Sequence, residues 1–169
     1  MKIAIIVAMD EDGYIGSDQS LPWRLSSDMS RFRSLTEGDG FNTVIMGRKT
    51  WDSLPGSYRP LPERVNIVMS RDTNWKAEGP VTALYTGRAI EIAFAEGSEE
   101  CWIIGGSQIY EVFLDRATEI HVTEVHTRNS GDVKFPDWDK TNWTNEEVEI
   151  VEVDSDNEFR TTYSIWTKS

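Results

Sequence analysis

Apolar residues dominate short runs at residues 3–9, 43–46, 65–69 and 102–104, with Thr43 and Asn66 the polar members. A run without polar alternation predicts a strand buried on both faces, the mark of a parallel sheet in an α/β fold. Between the runs the pattern turns helical. Ser26 and Ser27 offer an N-cap for a helix reaching to about Thr36, with Met29 and Phe32 three residues apart on one face. Residues 50–54 predict a short helix, Thr86 caps a helix from Gly87 to about Ala95, and residues 107–114 predict a fourth. The last third changes character: residues 119–125, 146–153 and 159–167 predict strands, the last two joined as a hairpin by the polar turn Asp154-Ser155-Asp156-Asn157. The expected fold is one α/β domain over residues 1–169. It has a central, mostly parallel sheet of about eight strands, an antiparallel C-terminal edge and about four flanking helices. No repeat, low-complexity tract or linker divides it. Sheets of this kind take ligands at the carboxyl ends of their strands.

Composition narrows the function classes. The chain has 169 residues, with 7 Trp and 6 Phe to fill a core, and 27% charged residues, as expected of a soluble globular protein. The net charge of −12 argues against a nucleic-acid partner, which needs a basic surface. The sign is uneven: ten of the 17 Lys and Arg residues lie between positions 24 and 88. Residues 132–158 instead hold ten acidic residues against Lys134 and Lys140, a pattern read as a solvated face. An anionic ligand therefore belongs to the first half. The lone Cys101 precedes an apolar run and reads as an inert structural thiol in a reducing compartment. The run at 3–9 is too short to span a membrane, and the acidic residues 10–12 follow where a signal peptide has small ones. A cytoplasmic protein without a membrane partner is expected.

Four segments carry chemistry. Residues 14–23, polar and holding Gly16 and Pro22, lead from the first strand towards the first helix, a place where loops cover active sites. Asp28 and Phe32 share a helix face; the alternative is an acid that faces water and favours the helix dipole. In Met46-Gly47-Arg48-Lys49-Thr50-Trp51 a buried strand turns through glycine into two cations and a hydroxyl, an arrangement suited to an anion; Ser70-Arg71 repeats the idea after the next strand. In Ile104-Gly105-Gly106-Ser107-Gln108 two glycines allow a ligand to approach the backbone closely. This is not the G-x-G-x-x-G fingerprint, and no zinc cluster, nucleophile elbow or Walker loop is present.

Taken in order, these segments resemble the dihydrofolate reductase family over nearly the whole chain. The resemblance runs from Ile15-Gly16, Leu21-Pro22-Trp23, Asp28 and Phe32 through Met46 to Trp51, Arg59-Pro60-Leu61-Pro62 and Arg64 to Val68. It continues through Ile104-Gly105-Gly106, Tyr110, Thr123, Gly131-Asp132 and Phe135-Pro136. It implies NADPH-dependent reduction of 7,8-dihydrofolate to tetrahydrofolate, by hydride transfer to C6 and protonation at N5, in support of one-carbon metabolism and thymidylate synthesis. It implies NADPH as cofactor, no metal, antifolates as inhibitors, and a monomer. Asp28 would hold the pterin N3 and 2-amino group with support from Thr123, the proton for N5 arriving through water, and Leu21 and Trp23 would complete the catalytic set.

Further roles follow from the same resemblance. Ile6, Phe32, Leu54, Leu61 and Tyr110 would line the substrate pocket, and Arg64 would take the glutamate α-carboxylate. Ala8, Ile15, Gly16 and Leu21 would lie near the nicotinamide, with the loop at 16–21 closing over it and Asp132 steering that loop. Gly47, Arg48, Lys49 and Thr50, with Ile104, Gly105, Gly106, Ser107, Gln108 and Ile109, would hold the rest of the cofactor. Arg48, Ser70 and Arg71 would recognise its 2′-phosphate. Gln108 stands where some relatives carry Arg. The readings weighed against this one are another reductase of the same fold, such as that of riboflavin synthesis, and a non-catalytic folate- or nucleotide-binding protein.

Overall fold

A computed structural model describes residues 1–16 and 23–169. In chain order its elements are β1 (Lys2–Asp10), β2 (Tyr14–Gly16), α1 (Ser26–Glu37), β3 (Thr43–Gly47), α2 (Arg48–Ser53), β4 (Val65–Met69), β5 (Val81–Ala83), α3 (Thr86–Ala95) and β6 (Glu100–Gly105). Then come α4 (Ser107–Phe113), β7 (Glu119–Val125), β8 (Val133–Lys134), β9 (Trp143–Val151) and β10 (Thr161–Lys168), and a short 3-10 turn sits at Gly56–Tyr58. Eight strands form one sheet in the order β5-β4-β3-β6-β1-β7-β10-β9. The first six run parallel, and β10 and β9 add the antiparallel edge. β2 and β8 pair separately as a two-stranded antiparallel sheet.

The apolar runs serve two cores, one on each face. Ile5, Val7, Ile45, Ile67 and Ile103 point to the face covered by α3 and α4, meeting Ala89, Ala93, Tyr110 and Phe113. Their neighbours Ala4, Val44, Met46, Val68 and Trp102 point to the other face, against Trp51, Phe32, Leu35 and Leu54 of α1, α2 and the turn after it. Successive strand residues face opposite ways, so a central strand with a core on both sides favours apolar residues at consecutive positions and takes a polar one only where it is hydrogen-bonded, as Thr43 and Asn66 are. Cys101 is fully buried, and burial pushes its thiol up to about 12, so it stays protonated and inert.

Local detail departs from the pattern in six places. α1 is not capped by the serines; its preceding residue is Leu25, and the cap is supplied by a remote loop. The Ser27 amide donates to Asn157 Oδ1 at 3.1 Å, and the Ser26 amide to the Asp156 carbonyl at 3.0 Å. α3 likewise has no side-chain cap from Thr86, α2 begins at Arg48 rather than Thr50, and Met29 is half exposed, not a core partner of Phe32. The last hairpin is longer than a four-residue turn, with strands at 143–151 and 161–168; the loop between them docks on α1. The edge strand β5 was not anticipated, because of its three residues only Ala83 is buried.

Two bulges re-aim side chains. Ile45 faces Ile103 across the β3–β6 ladder, while the next residue, Met46, faces Gly105, so Ile104 is an extra residue pushed out of register beside the cleft. On β9, Glu149 pairs with Tyr163 but Glu147 pairs with Ser164, so Val148 is extra and Glu149 shares the face of Tyr163.

Candidate active site

Parallel strands end together, and the ends of β3, β4 and β6 open onto one cleft of about 1700 Å³. At its β7 side lies Asp28, carried by the first turn of α1. The Thr123 hydroxyl on β7 donates to Asp28 Oδ1 at 2.6 Å, and the Arg31 guanidinium stands 3.3 Å from the same oxygen. The Asp28 side chain keeps 20% of its exposure. Burial raises its pKa, opposed by the Thr123 bond and by Arg31, and the balance remains above the ordinary carboxylate value. Phe32, one turn further along α1, and Ile6, Leu54 and Leu61 supply apolar wall around it. Leu61 is fixed by a neighbour the sequence did not single out. Asn66 accepts from the Leu61 amide at 2.8 Å and donates to its carbonyl at 2.9 Å.

Arg64 lines the cleft with a side chain only 3% exposed. Its Nε–H donates to the Pro62 carbonyl at 2.8 Å and NH1 to the Thr36 hydroxyl at 2.9 Å, while Glu37 stands 3.6 Å from NH2. Burial lowers its pKa, partly offset by Glu37; arginine starts so high that it stays charged at physiological pH.

The glycine turns make the other end. A Cβ on Gly47 would lie 3.1 Å from Ile109 Cγ1. Gly105 has φ +124°, and a Cβ there would meet the Tyr110 hydroxyl at 3.2 Å. A Cβ on Gly106 would come within 3.8 Å of Thr50 Oγ1, so α2 and the β6–α4 turn face one another across a narrow floor. The Gly105–Gly106 peptide is cis. Arg48, Lys49, Ser70 and Arg71 rim this end with Ser107 and Gln108. Arg48 lies over the Trp75 ring, 5.6 Å from its centre, with Asp52 at 3.8 Å.

Some expected residues reach the site indirectly. The Tyr110 hydroxyl lies 2.8 Å from the Ile6 carbonyl and 3.0 Å from that of Ile104, so it ties β1 to β6 beneath the cleft rather than presenting a free hydroxyl to substrate. The Ser107 hydroxyl donates to the Lys134 carbonyl at 2.9 Å. Trp23 packs with Leu25 and Val125 against Ala8, behind the wall that Ala8 and Ile15 present to the cleft. Its indole N–H is buried and meets no acceptor among the described residues. Leu21 and the loop after Gly16 lie outside the described residues. At the start of that loop, a side chain on Gly131 would collide with the Gly16 backbone, a close packing that only glycine permits. Asp10, missed by the sequence reading, is buried at the end of β1 and accepts amides from Asp12, Tyr14 and Ser130, all at 2.9 Å.

The family model for dihydrofolate reductase matches residues 2–168. The chain belongs to the dihydrofolate reductase family. It is 41% identical over 143 residues to the dihydrofolate reductase of Neisseria gonorrhoeae, covering 85% of this chain and 84% of that one. It is 43% identical over 142 residues to that of Mycobacterium leprae, covering 82% and 83%. A solved dihydrofolate reductase from Enterococcus faecalis, complexed with NADP(H) and RAB-propyl, superposes with a TM-score of 0.88 at 28% identity, covering 99% of this chain and 96% of that one. Dihydrofolate reductase chemistry is NADPH-dependent reduction of dihydrofolate, and the eight-stranded sheet with its antiparallel edge is the fold expected from the sequence. Among the described residues no helix is long and apolar enough to cross a membrane.

Proposed function

We propose that this chain performs the dihydrofolate reduction of its family in the cleft between Asp28 and the glycine turns, as one domain and a monomer in the cytoplasm. The observation that carries the assignment is the Asp28 carboxyl. It is pinned by Thr123, mostly buried beside apolar wall, and held above its ordinary pKa by that burial. A pterin ring offers an N3–H and a 2-amino group side by side, and a carboxylate accepts both. Phe32, Leu54 and Leu61 would hold the ring and the benzoyl group by apolar contact, and Arg64 would take the terminal α-carboxylate with its remaining N–H groups.

The glycine turns fit NADPH. Side chains at Gly47 and Gly105 would press on Ile109 and Tyr110 of α4, and Arg48, Lys49 and Arg71 supply cations at the same end of the cleft. When bound, the nicotinamide supplies the hydride; the protein supplies orientation and electrostatics. Ala8, Ile15 and Ile104 would border the nicotinamide, Thr50 and the backbone at 105–108 the pyrophosphate, and Arg48, Ser70 and Arg71 the 2′-phosphate. The reaction also consumes a proton at N5. Asp28, on the N3 side of the ring, anchors and polarises the pterin, and the proton arrives through water.

Asp28→Asn tests the reading. It removes the charge and keeps the shape, so the fold and NADPH binding should persist. Dihydrofolate reduction near neutral pH should fall by about 100-fold or more, the scale of a lost acid-base group. Near-normal turnover in a folded variant would remove Asp28 from the reaction.

A further inference from the structure

Arg31 does not line the cleft, yet it is the cation nearest Asp28 among the described ion pairs. Its guanidinium lies over the Tyr163 ring, 4.3 Å from the centroid, with a side chain only 14% exposed. NH1 faces Asp28 Oδ1 at 3.3 Å, and NH2 faces Glu149 Oε1 at 2.9 Å. Glu149 and Tyr163 are register partners on β9 and β10, brought to one face by the bulge at Val148. We infer that Arg31 is a positioning residue for the reduction: bridging Asp28 to Glu149 over Tyr163, it sets the pH at which the cleft carboxylate takes up its proton, with Glu149 as counterweight. This rests on the assignment of Asp28 made above.

Among the described residues the groups facing Asp28 are few. From α1 there is Arg31; from β7, Thr123, and beyond it His121; from β10, Tyr163; from β9, Glu149 through Arg31. β1 presents Ile6 and Ala8, which do not titrate. His121 Nδ1 lies 2.6 Å from the Tyr163 hydroxyl and Nε2 lies 2.9 Å from Glu119. Burial lowers the His121 pKa and raises that of Tyr163 to about 12, so both are neutral near pH 7. Among the described residues Arg31 and Glu149 are then the charges that act on Asp28, and they act in opposite directions. A cation at hydrogen-bonding distance favours the ionised carboxylate. Glu149 engages the same cation from the other end and weakens that pull, though its side chain is 55% exposed and its effect is screened by water.

The reaction consumes a proton, so its rate falls as pH rises through the midpoint of the profile. Removing Arg31 should therefore move that midpoint upward and increase the rate on the alkaline side, an outcome that mere loss of packing does not produce. The experiment follows single-turnover NADPH oxidation by dihydrofolate between about pH 5 and 9, because product release otherwise masks the chemical step. Arg31→Met should raise the midpoint by about one pH unit. Arg31→Lys should return it towards the parent, and Glu149→Gln should lower it by about a few tenths of a unit. In the Arg31→Met background, Glu149→Gln should add no further shift. Glu149 is largely exposed, so its variant keeps the test alive if Arg31→Met folds poorly. A uniform drop in rate with an unmoved midpoint in Arg31→Met overturns the inference, as does an upward shift in Glu149→Gln. If Asp28→Asn abolishes the reaction while these variants leave the midpoint fixed, only the role of Arg31 falls. If Asp28→Asn leaves the profile intact, the Asp28 assignment falls with it.

Discussion

Replacing Arg64 by Lys keeps the positive charge and removes the planar fork. In the structure the guanidinium is already half used: Nε–H holds the Pro62 carbonyl and one NH1 hydrogen holds the Thr36 hydroxyl. Of five N–H donors, three remain for a carboxylate on the NH1–NH2 edge, enough for two parallel charge-assisted bonds. A lysine ammonium cannot hold Pro62 and Thr36 and also present two bonds in one plane. Losing one charge-assisted bond costs about 2 kcal/mol, within the range for hydrogen bonds to charged groups. At about 1.4 kcal/mol per decade this is roughly a 30-fold rise in KM for dihydrofolate. In the proposed binding mode the contact would be remote from the reacting atoms and equally strong in ground and transition states, so kcat should change little. The assay is steady-state loss of NADPH absorbance, run in parallel with a dihydropterin that lacks the benzoylglutamate tail. The tail-less substrate should not distinguish the two proteins. An equal rise in KM for both substrates, or an unchanged KM for dihydrofolate, would refute the reasoning.

Asp10→Ala leaves three amides without their acceptor, two in the β1–β2 turn and that of Ser130 between β7 and β8, and should destabilise the protein by about 3 kcal/mol, seen as a drop in Tm. Burial of Asp10 opposes its ionisation, but the bonds from Ser130, Tyr14 and Asp12 outweigh it and hold its pKa below the ordinary value. Its contribution is therefore present above about pH 4 and lost as pH falls through the lower folded value, so Asp10→Asn should flatten the acid limb of the stability curve. An acid limb identical to the parent's would count against this. Arg71→Met should raise KM for NADPH about tenfold, the scale of a partly screened charge-assisted contact, and leave KM for NADH unchanged; equal losses with both would remove Arg71 from 2′-phosphate recognition.

What the sequence determined by itself is the set of features whose physics is local. An all-apolar run such as 44–46 is explained only by burial on both faces, so the strands and the parallel sheet were legible, as were the glycine turns at their ends. Spacing alone puts Asp28 and Phe32 on one helix face and the cations at strand ends; whether Asp28 faces the cleft or water is left open by spacing and is read from the family resemblance. The tertiary structure decided which polar groups meet. Asn157 reaches the start of α1 from 130 residues away, Ser130 closes on Asp10 across 120, and Glu149 meets Arg31 across 118. The pairing of Arg31 with Asp28 could have been read from their spacing of three. The pairing with Glu149 could not, because it depends on the bulge at Val148 that turns Glu149 onto the face of Tyr163. Hydrophobic period reports which face is buried, whereas register and bulges, set by long-range pairing, decide which charge stands beside the cleft carboxylate.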